Sequence, residues 1–305
     1  MTSELLKKYD LKKIPNRINW EITEACNFNC AYCINHVNEK SHQAKVYTPH
    51  QISSFFNATQ RQWLVLITGG EPFIYPNFVD VCKGLTAQHH LQITSNLSAP
   101  EVYAFADTVP PEKVFLLSAS YHFTHRKELN LIDDFINKCL YLKEKGFAVL
   151  VNYIALPETL NRMEEDLLMF EKLGIEVFAL MLRGKYKGKI YPEAYTQEAL
   201  DLIYRFVLDK ETESCAAFGE LNFYGHYCEA GQNYFFMNQY GDVSRCTTLH
   251  KKMGNLFENN FVPYPKPRVC TATHCNDVYC GLAAVTPKRA STFSVWLEKN
   301  KYNKL

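Results

Sequence analysis

Cys26, Cys30 and Cys33 stand in the order C-x3-C-x2-C within Thr23-Glu-Ala-Cys-Asn-Phe-Asn-Cys-Ala-Tyr-Cys33. Three thiolates on one short loop hold three irons of a cubane cluster and leave the fourth iron without a protein ligand, whereas a closed electron-transfer cluster takes four cysteines. An open iron is a place where a small molecule binds and reacts. The alternative is a structural zinc site, which normally takes four ligands and would need a more distant fourth, such as His36. Buried core cysteines do not cluster this tightly.

A second motif, Thr68-Gly69-Gly70-Glu71-Pro72, directly follows an apolar run. Glycine lets a backbone approach a ligand closely, and a carboxylate pairs with an ammonium group. Taken alone, the same residues also read as a strand-to-helix turn with proline near the helix start. A third group lies near the C-terminus, as Cys228-x12-Gly241-x4-Cys246 and Cys270-x4-Cys275-x4-Cys280. Four thiolates and one spare fit a single 4Fe–4S cluster, and four also suit tetrahedral zinc. Cys82 and Cys139 follow helical apolar spacing and read as small core residues. Cys215 receives no role.

These groups must be positioned by regular elements. Short β-rich runs at Arg17–Thr23, Leu64–Thr68, Leu91–Ser95, Lys113–Ala119, Ala148–Ile154 and Ile175–Met181 alternate with amphipathic stretches such as Thr48–Gln60, Leu131–Lys145 and Leu160–Leu173. The last of these is expected to bury Leu160, Met163, Leu167, Phe170 and Leu173. Gly146 and Gly174 fall where helix C-caps belong. The class is α/β: six β–α units read as a parallel sheet with crossover helices, an open partial barrel of six where a full barrel has eight. The cysteine loop follows strand one and the glycine loop follows strand two. Both therefore lie on the C-terminal face of the barrel, where active sites form. After about residue 215 the helical period stops, and Gln239-Tyr240-Gly241 reads as a hairpin turn. The division expected is a barrel over 1–214 and a cysteine-rich domain over 215–305, ending in a helix near 290–300.

The chain has 305 residues, 47% of them hydrophobic and 21% charged, enough to bury a full core. A net charge of +1 without a basic run excludes nucleic acid as an expected partner. No signal-peptide h-region and no apolar run of membrane length is visible, so a cytoplasmic enzyme away from the membrane is expected. In a reducing compartment, eleven cysteines point to metal ligation rather than disulfides.

The cysteine loop, its aromatic Tyr32 and the Gly-Gly-Glu-Pro loop resemble the signatures of the radical S-adenosylmethionine (SAM) enzymes, and the resemblance covers nearly the whole chain. In that family SAM chelates the open iron and one electron cleaves it to methionine and a 5′-deoxyadenosyl radical. The family also uses six β–α units. The resemblance implies that Gly69, Gly70, Glu71 and Pro72 hold the amino group of SAM. Ser95 and Asn96 stand where the family often has Thr-Asn-Gly against the ribose, with Leu97 in place of the glycine. It gives Ser118 a SAM contact. Ala119-Ser120-Tyr121-His122 replaces a common Leu-Asp-Gly, which makes Tyr121 and His122 candidates for the substrate side. Arg183, ending strand six, is a candidate partner for a carboxylate. His89 and His90 lie near the opposite face, with no chemistry expected.

The start of the C-terminal cysteine group resembles the SPASM and twitch domains that bind auxiliary clusters, although the C-x2-C-x5-C-x3-C tail of a full SPASM domain is absent. A twitch-like arrangement with one auxiliary 4Fe–4S cluster is implied, held by Cys228, Cys246 and Cys280 together with Cys270 or Cys275. The implied substrate is small and polar, sugar- or cyclitol-like, with a ribosomal peptide as the alternative. A flavodoxin or ferredoxin is the implied electron donor. The cyclase of molybdenum-cofactor synthesis fits less well, because its arginine- and glycine-rich tail is missing. The reading of another class is a non-catalytic iron–sulfur or zinc interaction module.

Overall fold

Six apolar runs fold as the spacing predicts. The computed structural model describes residues 16–33, 46–208, 210–219 and 222–275, so the expected helix near 290–300, His36 and Cys280 lie outside the described residues. In chain order the elements begin with β1 (Asn16–Thr23), α1 (Pro49–Ala58), β2 (Trp63–Gly69), α2 (Phe78–Thr86), β3 (His90–Ser95), α3 (Glu101–Thr108) and β4 (Val114–Ser120). They continue with α4 (Phe123–Glu128), α5 (Ile132–Glu144), β5 (Val149–Ala155), α6 (Leu160–Lys172) and β6 (Glu176–Met181). A small hairpin follows, β7 (Gly184–Tyr186) with β8 (Lys189–Tyr191), then α7 (Gln197–Tyr204) and α8 (Lys210–Ala217). Short strands complete the described chain: β9 (Tyr227–Cys228), β10 (Tyr234–Met237), β11 (Asp242–Ser244), β12 (Lys252–Asn255) and β13 (Arg268–Val269).

Local chemistry sets the helix ends. Thr48 and Gln51 form a reciprocal capping box at α1, with Pro49 in the first turn. Gly146 and Gly174 adopt φ of 89° and 68° just past α5 and α6. There Phe147 N–H bonds to Leu142 O at 3.0 Å and Ile175 N–H to Phe170 O at 2.9 Å, the six-to-one bond of a Schellman cap. Helix α6 buries Met163, Leu167 and Phe170 as expected, with Leu160 half-buried. Leu173 departs from the expectation: it caps the helix and stays exposed, because the apolar stripe has rotated off the barrel by that turn.

β1 to β6 pair in parallel and in sequence order, with registers such as Thr23↔Gly69, Ser95↔Ala119 and Ala155↔Met181. Their C-terminal ends therefore share one rim. Strands buried on both faces read as near-continuous apolar runs, as Trp63 to Ile67 do. The hairpin expected around Gly241 forms between β10 and β11.

What the sequence does not announce is where that hairpin goes. β10 pairs in parallel with β1, from Arg17↔Tyr234 to Trp20↔Met237. The sheet thus has nine strands in the order β12-β11-β10-β1-β2-β3-β4-β5-β6, and it runs on across residues 214 and 215. Phe235 is fully buried and packs on Trp63 of β2, with ring centroids 5.7 Å apart. Phe235→Ala is expected to cost about 3–5 kcal/mol, the range for a buried aromatic, while urea unfolding stays a single transition. A loss under about 1 kcal/mol would show that β10 contributes little to the barrel.

Candidate functional site

The loops after β1, β2 and β3 and the ends of β4 and β6 enclose a cavity of about 350 Å3, a volume typical of small-molecule sites. Cys26, Cys30 and Cys33 are half-buried, not in disulfides, and on its wall. Cys33 N–H bonds to Cys30 O at 2.9 Å, closing a tight turn between two of the thiols. Phe28 N–H approaches Cys26 Sγ at 3.4 Å. Burial pushes the Cys30 thiol up to about 11 and raises Cys26 as well. Ligation by a metal offsets that penalty, since a coordinating thiol is deprotonated outright.

The glycines of the second loop serve a purpose in addition to the one expected from sequence. Gly70 N–H bonds to Thr23 O at 2.7 Å and Glu71 N–H to Ala25 O at 2.8 Å. A Cβ on Gly70 would fall 1.9 Å from Ala25 O, and one on Gly69 would fall 2.2 Å from Thr23 O. Their small size lets the backbone of this loop lie against the cysteine loop, while both also line the cavity. Pro72 is buried at the start of a short 3-10 turn and does not reach the cavity.

Glu71 is fully buried. Its carboxylate accepts from Ser95 Oγ at 2.6 Å, Phe73 N–H at 3.0 Å and Asn96 N–H at 2.7 Å. Burial raises its pKa, opposed by these donors and by the charge of Arg126. The group assigned to an ammonium thus already ties the loop after β2 to the loop after β3. Asn96 lines the cavity and donates from Nδ2 to Asn27 Oδ1 at 3.0 Å, joining the third loop to the first. Leu97 has φ of 52°, so the backbone keeps the left-handed turn that a glycine would take more readily.

On β4 the structure corrects the sequence reading. Ser118 accepts from Asn152 Nδ2 at 2.6 Å and does not reach the cavity; Ser120, two residues on and on the same strand face, does. Tyr121 is buried away from the main cavity, against Phe135, Phe170 and Tyr153 at ring distances of 4.9–5.9 Å. Strand alternation turns it into the core beneath the site. His122 does face the cavity. Its Nδ1 lies 2.8 Å from the hydroxyl of Tyr32, which is also on the wall. Burial and the charge of Arg126 push His122 down to about 3, so the ring is neutral.

Arg126 carried no signal in the sequence beyond being one basic residue among many. It is fully buried and donates to Tyr121 O at 2.5 Å, to Ser120 O at 3.4 Å and to Asn96 O. The guanidinium lies 4.1 Å from the Phe135 ring centre and 5.3 Å from that of Phe28. Arg183 lies on the cavity wall, its guanidinium 3.5 Å from the buried carboxylate of Glu213 on α8. That carboxylate also accepts from Met181 N–H at 2.9 Å, which fixes the end of β6. His89 and His90 stay apart from the site, and burial pushes His89 down to about 4.

The C-terminal cysteines gather separately. Cys228, Cys246, Cys270 and Cys275 share one buried patch, joined by Cys215. β9 and β13 pair so that Cys228 faces Arg268, next to Cys270. Ala230 N–H points to Cys228 Sγ at 3.5 Å and Leu249 N–H to Cys246 Sγ at 3.3 Å. Burial raises Cys228 to about 11. Arg245 holds the patch together by donating to Ala230 O, Val269 O and Arg268 O at 2.8–3.1 Å. Cys228, Cys246, Cys270 and Cys215 are not in disulfides, whereas Cys275 is disulfide-bonded and as such offers no thiolate. Cys82 and Cys139 are core residues, as expected. Among the described residues, no three His, Cys, Asp or Glu side chains converge to hold a single metal ion.

Three loops that meet on one parallel rim and present three reduced cysteines to one cavity fit a cluster with an open iron. Residues 20–170 match the model of the Radical SAM superfamily, and the chain belongs to that superfamily. Its cofactors are accordingly SAM and a 4Fe–4S cluster. The GTP 3′,8-cyclase of Psychromonas ingrahamii is 29% identical over 87 residues, 28% of this chain and 25% of the cyclase. Among solved structures, Streptococcus suis SuiB bound to S-adenosylmethionine superposes with a TM-score of 0.57 at 18% identity, over 81% of this chain and 66% of SuiB. Native anSMEcpe with bound AdoMet gives 0.59 at 13% identity, over 80% of this chain and 78% of that one. At these identities the likeness concerns the fold. The chain spans about a quarter of the cyclase's length.

Glu71→Ala leaves three buried donors unpaired. At about 1–3 kcal/mol each, the apo-protein is expected to lose at least about 3 kcal/mol in chemical denaturation under reducing conditions. Unchanged stability would show that the carboxylate does not hold the loops together.

Proposed function

We propose that this chain is a radical SAM enzyme with two clusters. The SAM-binding cluster is on Cys26, Cys30 and Cys33. One auxiliary 4Fe–4S cluster is on the C-terminal cysteines, with Cys228, Cys246 and Cys270 joined by Cys275 in reduced form or by Cys280. The substrate is small and polar, sugar- or cyclitol-like. The observation that carries the reading is the meeting of the cysteine loop, the glycine loop and the β3 loop on one cavity wall. When bound, the cluster and SAM supply a one-electron cleavage that yields a 5′-deoxyadenosyl radical for hydrogen abstraction.

The residues have separate tasks. A carboxylate has about four lone-pair sites, so Glu71 retains capacity for the SAM ammonium beyond its three protein donors. Asn96 and Ser120 offer polar groups to the nucleoside or the carboxylate of SAM. Arg183, steadied by Glu213, is the cation for an anionic group of SAM or substrate. Phe28, Ile154, Leu180, Met181 and Leu182 form an apolar wall that excludes water from the reacting carbon. An auxiliary cluster held by the C-terminal cysteines would supply an acceptor for the electron left on the substrate, or a binding point for the substrate. A flavodoxin or ferredoxin delivers the reducing electron. The second reading, a peptide substrate, draws support from the fold shared with SuiB bound to its precursor peptide SuiA. Deuterium transfer into 5′-deoxyadenosine from labelled cyclitols or from labelled peptides separates the two.

Replacing Cys26, Cys30 and Cys33 by Ala is expected to abolish 5′-deoxyadenosine formation after dithionite reduction, and undiminished cleavage would sink the assignment. The double variant Cys228→Ala with Cys246→Ala is expected to lose about half of the roughly eight irons that two clusters contain, while SAM cleavage persists slowly. Full retention of iron and sulfide would mean that these cysteines are structural.

A further inference from the structure

Arg245 is 6% exposed, and among the described residues it has no carboxylate within ion-pair distance. A buried charge is costly unless it is paired. Three backbone carbonyls take up its donors: Ala230 O accepts from Nε at 3.0 Å, Val269 O from Nη1 at 3.1 Å and Arg268 O from Nη2 at 2.8 Å. Carbonyls satisfy the hydrogen bonds and leave the full positive charge uncancelled.

Each of these carbonyls lies on a segment that carries a cysteine. Val269 O belongs to the peptide that leads into Cys270, whose N–H donates to His226 O at 2.8 Å and whose carbonyl accepts from Gly225 N–H at 2.9 Å. Arg268 faces Cys228 across the β9–β13 pair. Ala230 follows Cys228 by two residues, and its N–H points to that sulfur. Cys246 is the next residue after Arg245 itself. The stem of the side chain needs room as well: a Cβ on Gly231 would fall 3.2 Å from Arg245 Cγ. One guanidinium therefore joins the three segments that bring Cys228, Cys246 and Cys270 into a single buried patch.

We propose that Arg245 is the counter-charge of the auxiliary cluster and a positioning residue for its ligands. The guanidinium holds three cysteine-bearing segments in place and offsets part of the negative charge of the thiolates. The inference rests on the reading of the C-terminal cysteines as cluster ligands. Partners behind the ligands orient them, and net charge helps to set the potential of such a cluster. A fixed cation beside it favours the reduced, more negative state, so Arg245 raises the potential.

The test uses the full chain carrying Cys26→Ala, Cys30→Ala and Cys33→Ala, reconstituted anaerobically, so that only the C-terminal cluster contributes iron and an EPR signal. Iron and sulfide are counted, and the potential is read by redox titration. This background chain is expected to hold about four of each. Adding Arg245→Gln removes the charge and is expected to lower the ratio of reduced to oxidised cluster about tenfold at a fixed potential, a shift of about 59 mV for one electron. Arg245→Lys keeps the charge and loses the planar fork. It should bind less iron than the background chain, while the clusters that do form keep the background potential. An unchanged potential in Arg245→Gln, or a shift in Arg245→Lys as large as that in Arg245→Gln, would overturn the counter-charge. Full iron in both variants would overturn the positioning. Should Arg245→Gln take up no iron, Arg245→Lys decides: uptake at the background potential upholds the proposal, and loss of iron there too reduces Arg245 to a fold contact and overturns it. A background chain that holds zinc without sulfide, or no metal at all, overturns the auxiliary-cluster reading itself.

Discussion

Two backbone hydrogen bonds between neighbouring loops, Gly70 to Thr23 and Glu71 to Ala25, are the constraint on which the rest of the site depends. They continue the β1–β2 pairing past the end of the strands and bring the loop after β2 onto the cysteine loop. The contact has no room for a Cβ at either glycine. From there the order propagates. Glu71 is carried inward and gathers donors from the loop after β3, and Asn96 of that loop reaches back to Asn27 beside Cys26. The thiols are thus held by a ring of loops rather than by their own turn alone.

Two buried arginines perform parallel work. Arg126 gathers carbonyls from the β3 and β4 loops behind the N-terminal thiols, and Arg245 gathers carbonyls from residues 230, 268 and 269 beside the C-terminal ones. A planar fork of five donors suits several carbonyls at once, which a lysine ammonium would meet less rigidly. Both place fixed positive charge near cysteine sulfur, and that charge lowers the thiols' proton affinity against the effect of burial.

Much of this was legible in the sequence, for physical reasons that can be named. Doubly buried parallel strands write themselves as apolar runs, so β1 to β6 were placed within a residue or two, and glycine marked the ends of α5 and α6. The cysteine and glycine loops were legible because strand order alone puts them on one rim. The rest depended on tertiary placement. No local pattern says that β10 will lie beside β1, since parallel partners leave no turn between them. Ser118 and Ser120 share a strand face, and only the curvature of the barrel decides which reaches the cavity. Tyr121 read as a site residue because its segment stands in place of the Leu-Asp-Gly common in the family it resembles, yet alternation turned it inward. Arg126 is one basic residue in a run of His125, Arg126 and Lys127, and its burial follows from how α4 docks on the barrel.

The place of β10 also bears on the order in which this chain is made. β1 emerges before the other described strands, but its second edge waits for Tyr234–Met237, which follow about two hundred residues later. Domains assemble from the N-terminus during synthesis, and exposed strand edges are where nascent chains aggregate. The strand that carries the cysteine loop is therefore the last of the barrel to be closed on both sides. Until then its thiols stand on a half-paired strand, so metal insertion at that stage would meet a rim that is not yet closed.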